Sequence, residues 1–255
     1  MPLFPSNPAA PAGWWAECLR RHRTLWPAKA AGIAVGMTLF FWAYFWLLRH
    51  PLSPPTCLPL TALDRWLPFW PPAVLPYVSL WVYVGLPISL QPDWRRLRSS
   101  GLAWIALAGI GLAIFLLWPT RVPPHTDEWD RFTAFSSLGQ IDAAGNACPS
   151  LHVAFALLSA IWLHAQCREI GAPLLVRAGN WLWCAAIVYS TLATHQHVAL
   201  DVVAGAALGS LVASVHLYLT HRSRSLVPLH EPLSAPLPGA FAPILPQTSN
   251  EHRLH

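Results

Sequence analysis

Six apolar runs leave this chain little choice of fold. They cover residues 29–48, 72–90, 101–118, 151–167, 175–194 and 198–220. Each is near the roughly 20 residues that a helix needs to cross a bilayer. Composition agrees: 55% of the 255 residues are hydrophobic and 11% charged, where a soluble domain carries roughly 25% charged. The expected fold is all-α, a polytopic six-transmembrane-helix bundle. The first run is too long for a signal-peptide core and lacks a small-x-small cleavage site, so it reads as an uncleaved anchor.

The basic residues alternate between the two sides. Arg20, Arg21, Arg23 and Lys29 precede the first run, and Arg95, Arg96 and Arg98 follow the second. Arg168 and Arg177 join the fourth to the fifth, and Arg222 and Arg224 follow the sixth. The opposite side has Arg49, Arg65, Arg121 and Arg131. The positive-inside rule then puts both termini in the cytoplasm of a multi-pass cell-membrane protein. The net charge of +5 is a topology signal on this reading, and no nucleic-acid partner is expected.

Three regions follow. Residues 1–28 form a cytoplasmic segment in which Trp14, Trp15, Leu19 and Trp26 alternate with arginines. That pattern suits a short interfacial helix or an ordinary aromatic and basic flank. Residues 29–220 hold the six spans. Residues 221–255 read as a disordered, proline-rich cytoplasmic tail. The outer loop 119–149 has a candidate helix at 127–138, with Trp129, Phe132 and Phe135 on one side. Cys57 and Cys148 share the oxidising face, as a disulfide or as two separate buried thiols. Gly205, Gly209 and Ala213 form a small-residue stripe suited to close helix packing.

Two short words carry the chemistry. The first is Cys148-Pro149-Ser150-Leu151-His152, at the start of the fourth run. Pro149 and Ser150 suit a helix start, whose backbone N–H groups favour an anion such as phosphate. His152 in that first turn could protonate a leaving oxygen. The second runs from Ser190 to Asp201 and contains His195, His197 and Asp201. Asp201 lies four residues after His197, so a helix puts both on one face. A carboxylate there can hold one ring N–H and leave the other nitrogen nucleophilic. Both words fall on the extracytoplasmic side. An ionisable cluster at a membrane boundary is costly, and its default reading is functional.

Together the words resemble the type 2 phosphatidic acid phosphatase superfamily of six-span membrane enzymes. Pro149, Ser150, Leu151 and His152 match its Pro-Ser-x-His motif. Ser190, His197 and Asp201 match its Ser-Arg-x5-His-x3-Asp motif, with Thr191 in place of the arginine. The resemblance implies that His197 is the nucleophile forming a phosphohistidine, that Asp201 orients it and that His152 protonates the leaving alkoxide. It implies a phosphate site at Ser150, Leu151, Ser190 and Thr191. The family's Lys-x6-Arg-Pro motif is absent. Arg121, in Trp118-Pro119-Thr120-Arg121, takes its place as the phosphate clamp, with Arg131 as a second candidate. The nearest branch in pattern is that of inositol phosphorylceramide synthase.

The expected activity is therefore a lipid-phosphate phosphatase at the extracytoplasmic face, needing no cofactor or metal. The alternatives are lipid phosphotransfer and a non-catalytic lipid-binding or transport protein on the same fold. A zinc site from His152, His195, His197 and Asp201 is the rival chemistry. His164 and His216 read as packed or interfacial histidines.

Overall fold

The computed structural model describes residues 13–123 and 145–225. Residues 221–225 of the expected tail are helical, the end of the last helix; residues 226–255, the candidate helix at 127–138 and Arg131 lie outside the described residues. The described chain is mostly helical. It opens with α1 (Trp14–Arg23). Pro27 sits in the first turn of α2 (Trp26–Arg49), where proline's missing N–H costs nothing. After the short α3 (Ala62–Trp66), the second apolar run folds as a 3-10 turn at Pro71–Ala73, then α4 (Val74–Tyr83) and α5 (Leu86–Ser89). The single long span expected there is jointed, because Gly85 and Pro87 interrupt the helix.

α6 (Trp94–Leu117) starts seven residues before the apolar run, since the Asp93 carboxylate accepts from the Arg96 N–H at 2.9 Å and caps it. α7 (Leu151–Glu169), α8 (Leu174–Ala193) and α9 (Ala199–Ser225) complete the bundle. The all-α expectation needs one amendment. β1 (Thr56–Cys57) and β2 (Thr120–Arg121) pair in parallel, Thr56 opposite Thr120 and Cys57 opposite Arg121.

Among the described residues, four helical segments are long and apolar enough to cross a membrane: Trp26–Arg49, Pro71–Ser89, Trp94–Leu117 and Ala199–Thr220. α7 and α8 have 19 and 20 residues but carry more polar side chains, among them His164, Gln166, Arg177 and Asn180, and fall outside that set. The bundle wears its apolar residues outward. Trp42, Leu102, Leu182 and Val203 are exposed, on a scale that a soluble monomer rarely tolerates.

α7 runs through the centre. Val153, Ala154, Ala156 and Ala160 on it are fully buried. α9 packs so tightly on it that a Cβ on Gly205 would run into the Ser150 carbonyl, and one on Gly209 into the Ala154 carbonyl. The expected small-residue stripe thus does pack helix to helix. On α6, a Cβ at Gly111 would meet the Leu151 side chain. Cys57 and Cys148 are free thiols, Cys57 exposed and Cys148 half-buried, so they are separate but not the buried pair expected. Burial raises the Cys148 thiol pKa, and the Asp201 carboxylate adds to this.

Candidate active site

The two sequence words meet at one end of the bundle, because the starts of α7 and α9 are tied together. The Ser150 N–H donates to the Asp201 carbonyl at 3.0 Å. Ser150 also caps α7, its hydroxyl accepting from the Val153 N–H at 3.3 Å, a bond worth about 1 kcal/mol. Thr120 anchors the approach, its hydroxyl accepting from the Cys148 N–H at 2.8 Å. The cap and the crossing helix therefore fix where His152 emerges.

Asp201 is fully buried. Its Oδ2 lies 3.2 Å from His197 Nδ1. Oδ1 has no hydrogen-bond partner among the described residues. His197 sits at the turn before α9, held by its own N–H, which donates to the Thr191 carbonyl at 3.1 Å. His195 beside it has φ +55°, the left-handed region that L residues seldom enter. His195 Nε2 is 3.3 Å from the Leu67 carbonyl, and its ring lies against Phe69.

His152 and His197 line one cavity of about 240 Å³. Apart from Asn146, the rest of its wall is aromatic and apolar, with Phe40, Tyr44 and Phe45 from α2, Tyr77 and Trp81 from α4, and Phe155 from α7. His152 is sandwiched into this wall. Its ring stacks on Tyr77 at 4.1 Å between centroids and 13° between planes, and meets the edge of Trp81 at 5.8 Å. Its Nε2 is buried with no hydrogen-bond partner among the described residues. A second, smaller cavity of about 110 Å³ touches His197 from another side, lined by Leu60, Asp64, Leu67 and His195.

The expected phosphate ligands are arranged unequally. Ser150, Ser190 and Thr191 are all fully buried. Ser190 donates to the Ile187 carbonyl at 2.6 Å and Thr191 to the Val188 carbonyl at 2.7 Å, so those two hydroxyl protons are turned back on α8. Ser150 accepts at its cap and keeps its own proton to donate. Leu151 lines the cavity with its side chain and brings the first backbone N–H of α7. Arg121 is exposed on β2 and is not among the residues that line the cavity shared by the two histidines. Among the described residues no three of His, Cys, Asp or Glu stand together as a metal cage, and His195 faces Leu67.

Sequence reasoning missed the groups that brace the site. Tyr77 and Trp81 confine His152. Asp64, on α3, accepts the Ala199 N–H at 2.7 Å on Oδ1 and the Thr61 N–H and hydroxyl at 2.7 Å on Oδ2. The Trp70 N–H donates to the Ala193 carbonyl at 2.8 Å. The segment 61–70 thus clasps the His197 turn. One signal was readable: Thr61-x-x-Asp64 is a capping box, though nothing in it points to α9.

Fold and site together define a class, a membrane-type helical bundle with a carboxylate-held histidine and a second histidine on one aromatic cavity. Residues 102–225 match the PAP2 superfamily, which generally comprises phosphoesterases. The match covers α7, α8 and α9, with both sequence words. The α2 and α4 walls of the cavity and Asp64 lie outside it. No curated protein and no solved structure matches the chain.

Proposed function

We propose that the chain is an integral membrane phosphatase that removes phosphate from a lipid phosphate through a phosphohistidine at His197. The observation that carries this is the 3.2 Å contact between His197 Nδ1 and the buried Asp201, on a cavity shared with His152. Asp201 holds the Nδ1–H and stabilises the imidazolium that develops. Nε2 attacks phosphorus, the P–N bond forms and the P–O bond to the alcohol breaks. His152 gives its proton to the departing alkoxide. In the second half, water attacks phosphorus, the P–N bond breaks, and the now neutral His152 takes the water's proton. No step needs a metal ion.

The N-terminal N–H groups of α7 and the Ser150 hydroxyl receive the phosphate oxygens. Ser190 and Thr191 contribute to the same site, and Arg121, exposed on β2 outside the cavity, would swing in to act as the clamp. The aromatic wall favours a lipid as the alcohol portion. On this reading all six apolar runs span the bilayer, the histidines face the extracytoplasmic side and both termini are cytoplasmic. Transfer to a lipid alcohol, as in the inositol phosphorylceramide synthase branch, shares the first half-reaction. The second cavity beside His197 is the observation that keeps it in view, as an entrance for an acceptor other than the one that left.

The test is trapping. Purified protein given phosphatidic acid labelled with radioactive phosphate, then quenched, should carry acid-labile, base-stable label that His197→Ala lacks. A folded His197→Ala protein with wild-type turnover would sink the mechanism and reopen the zinc reading of the site.

A further inference from the structure

A cavity of about 450 Å³, larger than the one at the histidine pair, lies at the other end of the bundle. At 1.5 Å per residue, Gln166 is about 21 Å along α7 from His152, and His216 about 22 Å along α9 from Asp201. The two sites are separate.

The wall of this cavity holds polar atoms with nothing to bond. Trp162, Gln166 and His216 line it, and their Nε1, Oε1 and Nδ1 atoms are buried with no hydrogen-bond partner among the described residues. Trp162 is 2% and Gln166 7% exposed. Their roles are fixed by what the rest of each side chain does. Gln166 Nε2 donates to the Pro87 carbonyl at 2.9 Å, so Oε1 is an acceptor awaiting a donor. Trp162 Nε1–H can only donate. The two residues are four apart on α7 and share a face. His216 Nε2 lies 3.0 Å from the Ser99 hydroxyl, which lets Nδ1 act either way.

Charge at the rim has one sign to spare. Glu169 is taken by Arg96, which reaches both carboxylate oxygens at 2.8 Å, and by Arg21 at 3.3 Å. Arg168 lines the same cavity and has no ion pair among the described residues. An inner donor and acceptor side by side, with a cationic rim, suit a molecule bearing both hydroxyl and anion.

We propose that this cavity binds a hydroxylated phosphate ester. The phosphate rests against Arg168 and Arg96. A hydroxyl accepts from Trp162 Nε1–H while donating to Gln166 Oε1. A lipid headgroup or a soluble ester would present the same chemistry.

Binding to the purified full-length protein separates the possibilities, with dihexanoyl phosphatidylglycerol as the lipid probe, glycerol 3-phosphate as the soluble one and dihexanoyl phosphatidylcholine as the hydroxyl-free control. Phosphatidylglycerol or glycerol 3-phosphate should bind at least tenfold tighter than the choline lipid. Trp162→Phe with Arg168→Gln should erase that preference, and Arg168→Gln alone, at an exposed position, should weaken it without threatening the fold. His197→Asn should leave it intact. Preference for the glycerol lipid alone assigns the site to a headgroup, and binding of the free ester to a soluble ligand. Equal binding of the choline lipid, unchanged binding in the double variant, or loss in His197→Asn would each overturn the proposal.

Discussion

At the scale of single residues, His197 and His152 differ in what surrounds them. His197 is tethered to a carboxylate, while His152 is pinned between Tyr77 and Trp81. A tethered ring suits attack at a fixed angle, and a pinned one suits delivery of a proton to a fixed place. His152→Ala should cost about 10²–10⁴ in kcat on an alkyl phosphate. It should recover much of that on an aryl phosphate, whose leaving group needs little protonation. Equal losses on both substrates would remove His152 as the acid. Asp64 is a positioning residue on the same logic. Asp64→Ala frees the Ala199 N–H and should lower kcat by about tenfold to a hundredfold with KM nearly unchanged. Asp64→Asn keeps an acceptor oxygen and should restore most of the rate. A loss in Asn as deep as in Ala would mean that the charge, not the bond, matters.

At the scale of elements, α1 is held by ions. The Glu17 carboxyl is lowered to about 2 by hydrogen bonds from Arg20 and Arg21. Burial would raise Glu169, yet the hydrogen bond from Arg96 and the nearby arginine charges bring it below the ordinary carboxylate range. A depressed carboxyl stabilises the fold above its unfolded pKa and loses that stabilisation as pH falls through its folded one. α1 should therefore stay docked from neutral pH to about 4.5 and loosen between there and about 2. Amide exchange within Trp14–Arg23 measures it, and protection that is flat across that window would refute it. The same elements show what the sequence could tell. The apolar runs were legible because span length is a local property, and the His152 and His197 words because helix starts have local signatures. The joint at Gly85 and Pro87 carried its breakers in plain view but sat inside an unbroken apolar run. Tyr77, Trp81 and Asp64 were illegible as site residues: what they touch lies far along the chain, and no local pattern encodes that.

At the scale of the whole molecule, the arginine asymmetry predicts an orientation. In a cysteine-free background, an impermeant thiol reagent added to intact cells should label Ser53→Cys and spare Ser99→Cys. The reverse pattern would invert the topology and put the histidines inside. The tight crossing of α7 and α9 adds a constraint of its own. Gly205 and Gly209 hold those helices in backbone contact, so on the proposed reading a lipid would enter past the aromatic faces of α2 and α4.

His197 also stands on the wall of two cavities. A phosphoryl group on its ring would be a passenger with two exits, the aromatic chamber by which its alcohol leaves and the small pocket by Leu60, Asp64 and Leu67. If the second partner arrives by that pocket, the incoming oxygen never has to wait for the lipid to clear. Leu60→Trp, which plugs the pocket, should then leave the initial burst of released alcohol intact and slow steady turnover at least tenfold, with labelled enzyme accumulating. A burst and a steady rate that fall together would mean that both partners use the same door, and that whichever lipid leaves first decides when the next molecule can react.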